Sequence, residues 1–198
     1  MIICGIDEAG RGPLAGPVCA AAVILNKNFP LDLLNDSKKL NASHRSSANL
    51  LIREKAHFWG IGWASHTEID SINILQASLL AMKRAFEDML TKADSAKHNL
   101  SGECISVIVD GKFIPDISAE SGITIQCKAL VKADAQVPEV MAASILAKTA
   151  RDNYMDKMAK LYPQYGYEKH KGYPTKAHRE AVLQHGPSPI QRLSFRVR

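Results

Sequence analysis

The sequence lacks any apolar run long enough to cross a membrane. Its longest apolar run, residues 18–25, is far shorter than the ~20 residues that a membrane-spanning helix needs. No basic region precedes the apolar residues at the N-terminus, so no secretory signal peptide is predicted. We therefore expect a cytoplasmic protein that makes no contact with a membrane.

Cysteine is scarce, and the usual phosphate-binding glycine motifs are absent. The four cysteines, Cys4, Cys19, Cys104 and Cys127, lie far apart without a C-x-x-C pair. This spacing argues against a zinc site or a disulfide framework and indicates reduced thiols in the core. The glycine-rich stretch at 10–17 is followed by no Gly-Lys-Ser or Gly-Lys-Thr and does not match the dinucleotide-binding spacing. Nucleotide-binding classes that depend on those motifs are excluded.

Basic residues outnumber acidic residues only slightly. Lys and Arg number 25 against 20 Asp and Glu, which gives a formal charge of +5 and an isoelectric point near 9.0. This balance favours a polyanionic partner but is also common in proteins that have none. The length of 198 residues and the 46% hydrophobic content predict a single domain, residues 1–198. Within it, residues 162–198 are predicted to form a small accessory region rich in Lys, His, Gly, Pro and Tyr.

Apolar patterning alternates between strand and helix lengths. Strands are predicted at residues 2–6, 18–25, 59–64, 104–109 and 124–131. Helices are predicted at residues 41–57, 72–90 and from 138 onwards. Thr67 and Asp70 have the spacing of a capping box before the second helix. The unbroken apolar run 104–109 indicates a strand that is buried on both faces, as in a sheet covered by helices.

Four acidic residues fall at the ends of predicted strands. Asp7 and Glu8 end the first strand, Asp110 ends the fourth, and Asp134 lies between the fifth strand and the last long helix. Ligand sites in open α/β sheets gather at the carboxyl ends of strands, and oxygen donors without His or Cys suit Mg²⁺ or Mn²⁺. The simpler interpretation makes Asp110 a turn residue and Asp134 a helix cap. Their coincidence with the adjacent pair at 7 and 8 favours a metal site.

The glycine-rich stretch 10–17 joins the first two predicted strands directly after two of these acids. Glycine lets a backbone approach a ligand closely, and Arg11 is available for a phosphate, so the stretch fits a phosphodiester in the site. The alternative is a tight hairpin that needs glycine for a positive φ.

The same residues carry a resemblance to a known family. Residues 6–18 (IDEAGRGPLAGPV) are similar to the N-terminal signature of bacterial ribonuclease HII. The motifs that follow, in the order found in that family, are 36–40 (DSKKL), 69–74 (IDSINI), 109–111 (VDG), 132–134 (KAD), 142–148 (AASILAK), 170–178 (HKGYPTKAH) and 185–189 (HGPSP). The resemblance extends almost from one end of the chain to the other.

The resemblance implies a ribonuclease H-like α/β fold, a mixed central sheet flanked by helices, with a small C-terminal helical region. It implies a metal-dependent endoribonuclease that cleaves the RNA strand of RNA–DNA hybrids. It also implies cleavage 5′ of single ribonucleotides embedded in duplex DNA, which leaves a 3′-hydroxyl and a 5′-phosphate and serves the removal of ribonucleotides from DNA. By the same resemblance, the metal-binding catalytic carboxylates are Asp7, Glu8, Asp110 and Asp134.

Substrate contacts are implied in the same way. Gly10, Arg11 and Gly12 match the loop that senses the 2′-hydroxyl, the group that distinguishes RNA from DNA. Tyr173 matches the tyrosine that packs on the neighbouring deoxyribose. Further substrate contacts are expected from Lys38, Lys39, Ser144 and Lys148. A solvated surface explains any single one of the lysines equally well.

Two divalent ions, Mg²⁺ or Mn²⁺, about 3.5–4 Å apart are expected to carry the reaction. One ion activates a water for in-line attack and the other stabilises the leaving 3′-oxygen, so no side-chain nucleophile is required. Asp7 is the best candidate to bridge them. His170 and His178 flank Tyr173, and we interpret them as surface histidines of a basic lobe rather than as proton shuttles.

Two other functions fit the sequence less well. One is a catalytically silent nucleic-acid-binding module of the same fold, against which the acids at all four positions argue. The other is a relative with another task, such as a junction resolvase or a nuclease that prefers long hybrids, against which residues 10–12 and Tyr173 argue. The expected partners are RNA–DNA hybrids and duplex DNA containing ribonucleotides, bound by a monomer. Residues 191–195 resemble a clamp-binding peptide too faintly to carry a prediction.

Overall fold

The computed structural model of the chain describes residues 1–35, 42–96, 100–118 and 122–197. The strands are β1 (Ile2–Ala9), β2 (Val18–Ile24), β3 (Phe58–Ala64), β4 (Cys104–Asp110) and β5 (Thr124–Leu130). The α-helices are α1 (Asp32–Asn35), α2 (Ala42–Lys55), α3 (His66–Ser95), α4 (Pro138–Leu161), α5 (Tyr167–His170) and α6 (Lys176–His185). Short 3₁₀ turns at Ala133–Ala135 and Pro163–Tyr165 flank α4. Across these ranges, no helix combines the length and apolar character that crossing a membrane requires.

The five strands form one mixed sheet in the order β3-β2-β1-β4-β5. β1 pairs antiparallel with β2, which pairs antiparallel with β3. β1 pairs in parallel with β4, and β4 pairs in parallel with β5. The carboxyl ends of β1, β4 and β5 therefore lie along the same edge of the sheet. The predicted mixed sheet flanked by helices is confirmed.

Glycines let helices approach the sheet closely on both faces. On one face, a Cβ built on Gly60 or Gly62 of β3 would fall 2.2 or 2.1 Å from a backbone oxygen of α3. On the other face, a Cβ on Gly5 of β1 would fall 2.2 Å from the backbone of α4. Because backbone packs directly on backbone at these points, both helices have fixed positions along the strands. α2 packs beside α4 on the second face.

Burial differs between the central strands. Every residue of β2 is buried, because α3 covers one of its faces and α2 and α4 cover the other. In β4 buried and half-buried residues alternate, so the prediction that the run 104–109 is buried on both faces was wrong. The reason is that α4 runs along β1 and β2 and leaves that face of β4 only partly covered.

Of the two long helices, α4 begins where the sequence predicted, whereas α3 begins at His66, before the predicted start at residue 72, and has a different cap. Ser65 is its N-cap: the Ser65 Oγ accepts from the Glu68 N–H at 3.2 Å, and the Glu68 carboxylate accepts from the Ser65 N–H at 2.8 Å. The predicted capping box of Thr67 and Asp70 was therefore wrong. α4 begins at Pro138 as predicted, with Val137 as its N-cap residue.

The C-terminal helices pack on the end of α4, which confirms the predicted C-terminal helical region. A separate apolar cluster joins Met155 and Ala159 of α4 to Tyr165, Tyr167 and Val182. The four cysteines are free thiols, two buried and two half-buried, as expected for a reduced core. The boundary at residue 162 for the accessory region stays a prediction.

Candidate active site

Two of the predicted acids lie side by side on neighbouring strands. Ile6 of β1 pairs with Val109 of β4, so the next residues, Asp7 and Asp110, are lateral neighbours in the parallel register. Ile6 and Val109 belong to the core on the α3 face. Because successive strand residues point to opposite faces, Asp7 and Asp110 both point to the face covered by α4.

Glu8 follows Asp7 directly and therefore points to the opposite face of the sheet. It is half-buried at the end of β1, where its Oε1 accepts a hydrogen bond from Nη1 of Arg11 at 3.2 Å. The two carboxylates are therefore neighbours in the sequence, but their side chains leave β1 on opposite faces.

The turn that carries Asp134 is fastened to the end of β4. The N–H of Ala133 donates to Oδ1 of Asp110 at 2.7 Å, so Asp134 follows directly after a hydrogen-bond partner of Asp110. Lys132 takes a left-handed conformation with φ 60°, which turns the chain from β5 into the 3₁₀ turn. Because Val137 is the N-cap residue of α4, the interpretation of Asp134 as the cap of that helix is wrong.

Burial and mutual repulsion perturb the acids at this edge. The pKa of Asp7, which is only 6% exposed, is raised well above its usual range by burial and by the charges of Glu8 and Asp110. A hydrogen bond from Ser144 of α4 opposes this increase. Burial also raises the pKa of Glu8, and the Arg11 guanidinium partly offsets that shift. Groups with strongly perturbed pKa values at a strand end are typical of functional sites.

The acids suit a divalent cation that binds oxygen ligands. Among the described residues, no three His, Cys, Asp or Glu side chains lie close enough together to form a ready metal-binding group. The local bonds explain this, because Glu8 points to the other face and one oxygen of Asp7 accepts the Glu8 N–H at 2.7 Å. The donors at this edge are carboxylates that repel each other in a buried setting. A hard cation there would remove the repulsion.

Two buried arginines hold the glycine-rich connection 10–17 between β1 and β2 on its interior side. Arg151 donates to the carbonyl oxygens of Ala15 and Pro17 at 3.1 and 3.0 Å. Arg192 donates to further carbonyl oxygens of the same segment. Sequence reasoning missed both residues. The position of Arg151 on the apolar stripe of α4 was the available signal, since an arginine there needs buried acceptors.

The ring of Tyr173 lies next to Gly12 of this segment. A Cβ built on Gly12 would lie 3.6 Å from Cε1 of the Tyr173 ring. The guanidinium carbon of Arg151 lies 5.9 Å from the centre of that ring, and 39% of Tyr173 is exposed. The structure therefore brings together two of the residues that the sequence associated with substrate, and it leaves the ring accessible.

The remaining predicted contacts divide into three groups. The Ser144 hydroxyl lies near enough to Asp7 to lower the pKa of that carboxyl, which places it beside the acids. Lys148, one turn later on α4, forms an ion pair with Asp152 at 2.5 Å. Lys38 and Lys39, with the rest of the motif 36–40, lie outside the described residues. Phosphate contacts by these lysines stay predictions.

The two histidines near Tyr173 are not the surface residues that the sequence suggested. His178 is fully buried, and its ring stacks on half-buried His170 with centroids 4.5 Å apart. Burial lowers the pKa of both rings, and hydrogen bonds tie them to the backbone around Tyr173. Nδ1 of His178 lies 3.0 Å from the Tyr173 carbonyl oxygen, and the Gly172 N–H donates to Nδ1 of His170 at 3.2 Å. Their role in the structure is to hold this segment.

The molecule is a mixed sheet flanked by helices, with acids at the carboxyl ends of adjacent parallel strands. Its structural neighbours belong to the ribonuclease H class of nucleases. The family model described as Ribonuclease HII matches residues 4–198. A Ribonuclease HII of Treponema denticola is 56% identical over 200 residues, which cover 100% of this chain and 99% of that protein. The chain belongs to the ribonuclease HII family. It is an endoribonuclease acting on RNA–DNA hybrids, and the enzymes of this family depend on metal ions.

Solved structures support the same assignment. Ribonuclease H2 from Pyrococcus horikoshii superimposes with a TM-score of 0.72 at 26% identity, covering 100% of this chain and 95% of that one. Bst-RNase HIII in complex with Mn²⁺ superimposes with a TM-score of 0.72 at 18% identity, covering 100% of this chain and 68% of that one. The second likeness shows the shared fold.

The two glycines that flank Arg11 should respond differently to a methyl group. Gly10 has φ 101°, and a Cβ there would fall 2.1 Å from Nε of the buried Arg151. We expect Gly10→Ala to lower the free energy of unfolding by about 2 kcal/mol or more. Gly12→Ala should change it by less than about 0.5 kcal/mol, because its nearest contact is an ordinary one. Urea unfolding of both variants and the wild type measures the difference, and equal stabilities would contradict the account of this segment.

Proposed function

We propose that the protein cleaves on the 5′ side of ribonucleotides embedded in duplex DNA, leaving a 3′-hydroxyl and a 5′-phosphate. We propose that its metal-binding catalytic carboxylates are Asp7, Glu8, Asp110 and Asp134, with Mg²⁺ or Mn²⁺ as the ions. The observation that carries this proposal is the pair of neighbouring carboxylates at 7 and 110, buried or half-buried on one face at the end of parallel strands.

The electrostatics of these residues favour an ion at this position. Burial and two neighbouring acids raise the pKa of Asp7, so the unliganded site tends to take up a proton. A divalent cation competes with that proton and restores the charged form of the carboxylates. When bound, two such ions would activate a water and stabilise the leaving oxygen of a phosphodiester. Bst-RNase HIII, which shares the fold, has been solved with Mn²⁺.

The neighbouring side chains prepare the acids for this task. The Ser144 hydroxyl of α4 opposes the rise in the pKa of Asp7 and so favours its charged form. The Ala133 N–H holds Asp110 and brings the turn of Asp134 against β4. Arg11 holds Glu8 at the end of β1 while remaining exposed enough to meet a phosphate. No side chain is needed as a nucleophile in this arrangement.

Recognition of the ribonucleotide is proposed for the surface between residues 10–12 and Tyr173. A backbone without side chains can approach a 2′-hydroxyl and bond it whatever the base. The exposed ring of Tyr173 offers an apolar face that suits a sugar without that hydroxyl. Lys148, and Lys38 and Lys39 outside the described residues, are proposed to contact phosphates, which for Lys148 requires release from Asp152.

Removal of one carboxylate charge should stop cleavage without unfolding the protein. We expect Asp110→Asn to reduce cleavage of a duplex with one embedded ribonucleotide by about a hundredfold or more. The Asn side-chain oxygen can still accept the Ala133 N–H, and the site loses a repelling charge, so the thermal midpoint should be unchanged or higher. Cleavage in Mg²⁺ and thermal unfolding are measured on the same preparation.

Asp116→Asn, which changes an exposed acid six residues later, is the matched control and should cleave like the wild type. A folded Asp110→Asn protein with near wild-type activity would refute the metal site. A wild-type protein that binds the duplex and cleaves none would instead favour the silent binding module.

The Tyr173 ring should matter most at a junction between ribose and deoxyribose. Burial of an aromatic side chain is worth roughly 1.5–3 kcal/mol, and the ring would be only partly buried on a sugar, so Tyr173→Ala should lower kcat/KM on a single embedded ribonucleotide by about tenfold. The loss on a continuous RNA–DNA hybrid should be smaller, whereas Tyr173→Phe keeps the ring and should keep the preference. Equal losses on both substrates would show that junction recognition lies elsewhere.

A further inference from the structure

Arg192 is a fully buried cation whose guanidinium hydrogen-bonds only to backbone and lies over the ring of Phe195, 5.1 Å from its centre. Its side chain is 0% exposed, and it forms no ion pair with a carboxylate among the described residues. The N–H groups of its guanidinium donate to carbonyl oxygens of the glycine-rich segment. The acceptors and distances are Gly16 at 2.8 Å from Nε, Arg11 and Pro13 at 3.0 and 2.8 Å from Nη1, and Gly10 and Pro17 at 2.6 and 3.2 Å from Nη2.

This arrangement carries an electrostatic cost that packing alone does not explain. Burial, together with the nearby charge of Arg151, lowers the pKa of Arg192 to about 9. A buried charge is stabilised only by groups that hydrogen-bond it, and here those groups are carbonyl dipoles of one short segment. Every N–H of the guanidinium fork is used for that segment. The cation and the segment therefore hold each other in a single conformation.

The bonds of Arg192 determine where the N–H groups of residues 10–12 point. In a planar trans peptide, the carbonyl and the following N–H point in opposite directions, and the described chain contains no cis peptide. The carbonyls of Gly10 and Arg11 point down to the guanidinium, so the N–H groups of Arg11 and Gly12 point away from it. Both residues are exposed, and neither N–H has a hydrogen-bond acceptor among the described residues.

We propose that Arg192 is a positioning residue for ribonucleotide recognition, which directs the N–H groups of Arg11 and Gly12 outward as a preformed pair of donors. The proposal rests on the proposed role of residues 10–12 in sensing the 2′-hydroxyl, and it assigns part of that role to a residue far away in the sequence. Paired backbone donors of this kind bind oxygen atoms without a side chain in the way.

The C-terminal segment holds Arg192 in place. The Asp70 carboxylate of α3 accepts from the backbone N–H groups of Leu193 and Ser194, each at 2.9 Å. On the other side, the Arg192 N–H donates to the Leu14 carbonyl at 2.9 Å. The segment that resembled a clamp-binding peptide is therefore part of the fold at the position of Arg192. Its contacts connect α3 to the glycine-rich segment.

The test compares binding of two duplexes of the same sequence, one with a single ribonucleotide and one of DNA only. Affinities are measured by fluorescence anisotropy in the Asp110→Asn background, so that no substrate is cleaved. Arg192→Lys keeps the charge but loses the planar fork, and it cannot bind all the carbonyls at once. We expect it to reduce the preference for the ribonucleotide duplex by roughly three- to tenfold, the range of one neutral hydrogen bond.

The ratio of the two affinities separates positioning from general damage, because partial unfolding weakens binding of both duplexes equally. The matched control is Arg84→Lys, whose guanidinium also donates to a carbonyl, that of Trp63 at 2.7 Å, on the edge strand β3. The control should leave the ratio unchanged. An unchanged ratio in Arg192→Lys would overturn the proposal.

Asp70→Asn is the second variant, to be used if Arg192→Lys does not fold. It weakens the hydrogen bonds from residues 193–194 to Asp70 without changing the guanidinium. It should reduce the preference in the same direction by a smaller factor, and no change would overturn the proposal. Failure of the proposed function is distinguishable, because the Asp110→Asn parent would then show no preference for the ribonucleotide duplex at all.

Discussion

The parallel pairing of β1 with β4 is the constraint on which the rest of the site depends. It places Asp7 and Asp110 next to each other on one face, where burial and like charge oppose ionisation of Asp7. The surrounding structure compensates locally, with Ser144 donating to Asp7 and the Ala133 N–H donating to Asp110. These bonds do not cancel the negative charge of the two carboxylates, and a divalent cation would neutralise it.

Buried charges of the opposite sign lie beside the acids. Arg151 and Arg192 are buried against the glycine-rich segment, and their charges are stabilised by hydrogen bonds to carbonyl oxygens rather than by acids. The acids and the arginines therefore occupy adjacent regions without pairing with one another. The proposed metal site requires acids without arginine partners, and the proposed recognition of a 2′-hydroxyl requires unpaired N–H groups at residues 11 and 12.

The sequence predicted the order of the strands and helices well, because apolar runs and glycine-rich turns are local signals. It also predicted that acids at strand ends would share an edge, since that follows from parallel topology. It did not predict that Glu8 points to the face opposite Asp7. The predicted first strand ended at residue 6, and side chains alternate between faces only within a strand. The cap of α3 was misassigned because Asp70 binds residues 193–194, a contact between distant parts of the chain. Arg192 was missed for the same reason, since its partners precede it by more than 170 residues.

The central claim is that the acids at the end of β1 and β4 form a site for divalent cations. The most direct measurement is the thermal midpoint of the wild type and of Asp7→Asn during titration with MnCl₂. A ligand that binds only the folded state raises the midpoint with concentration, so the wild-type Tm should rise steadily. Asp7→Asn should begin at an equal or higher Tm, because repulsion is relieved, and should respond far less to the metal. Equal rises in the two proteins would contradict the claim.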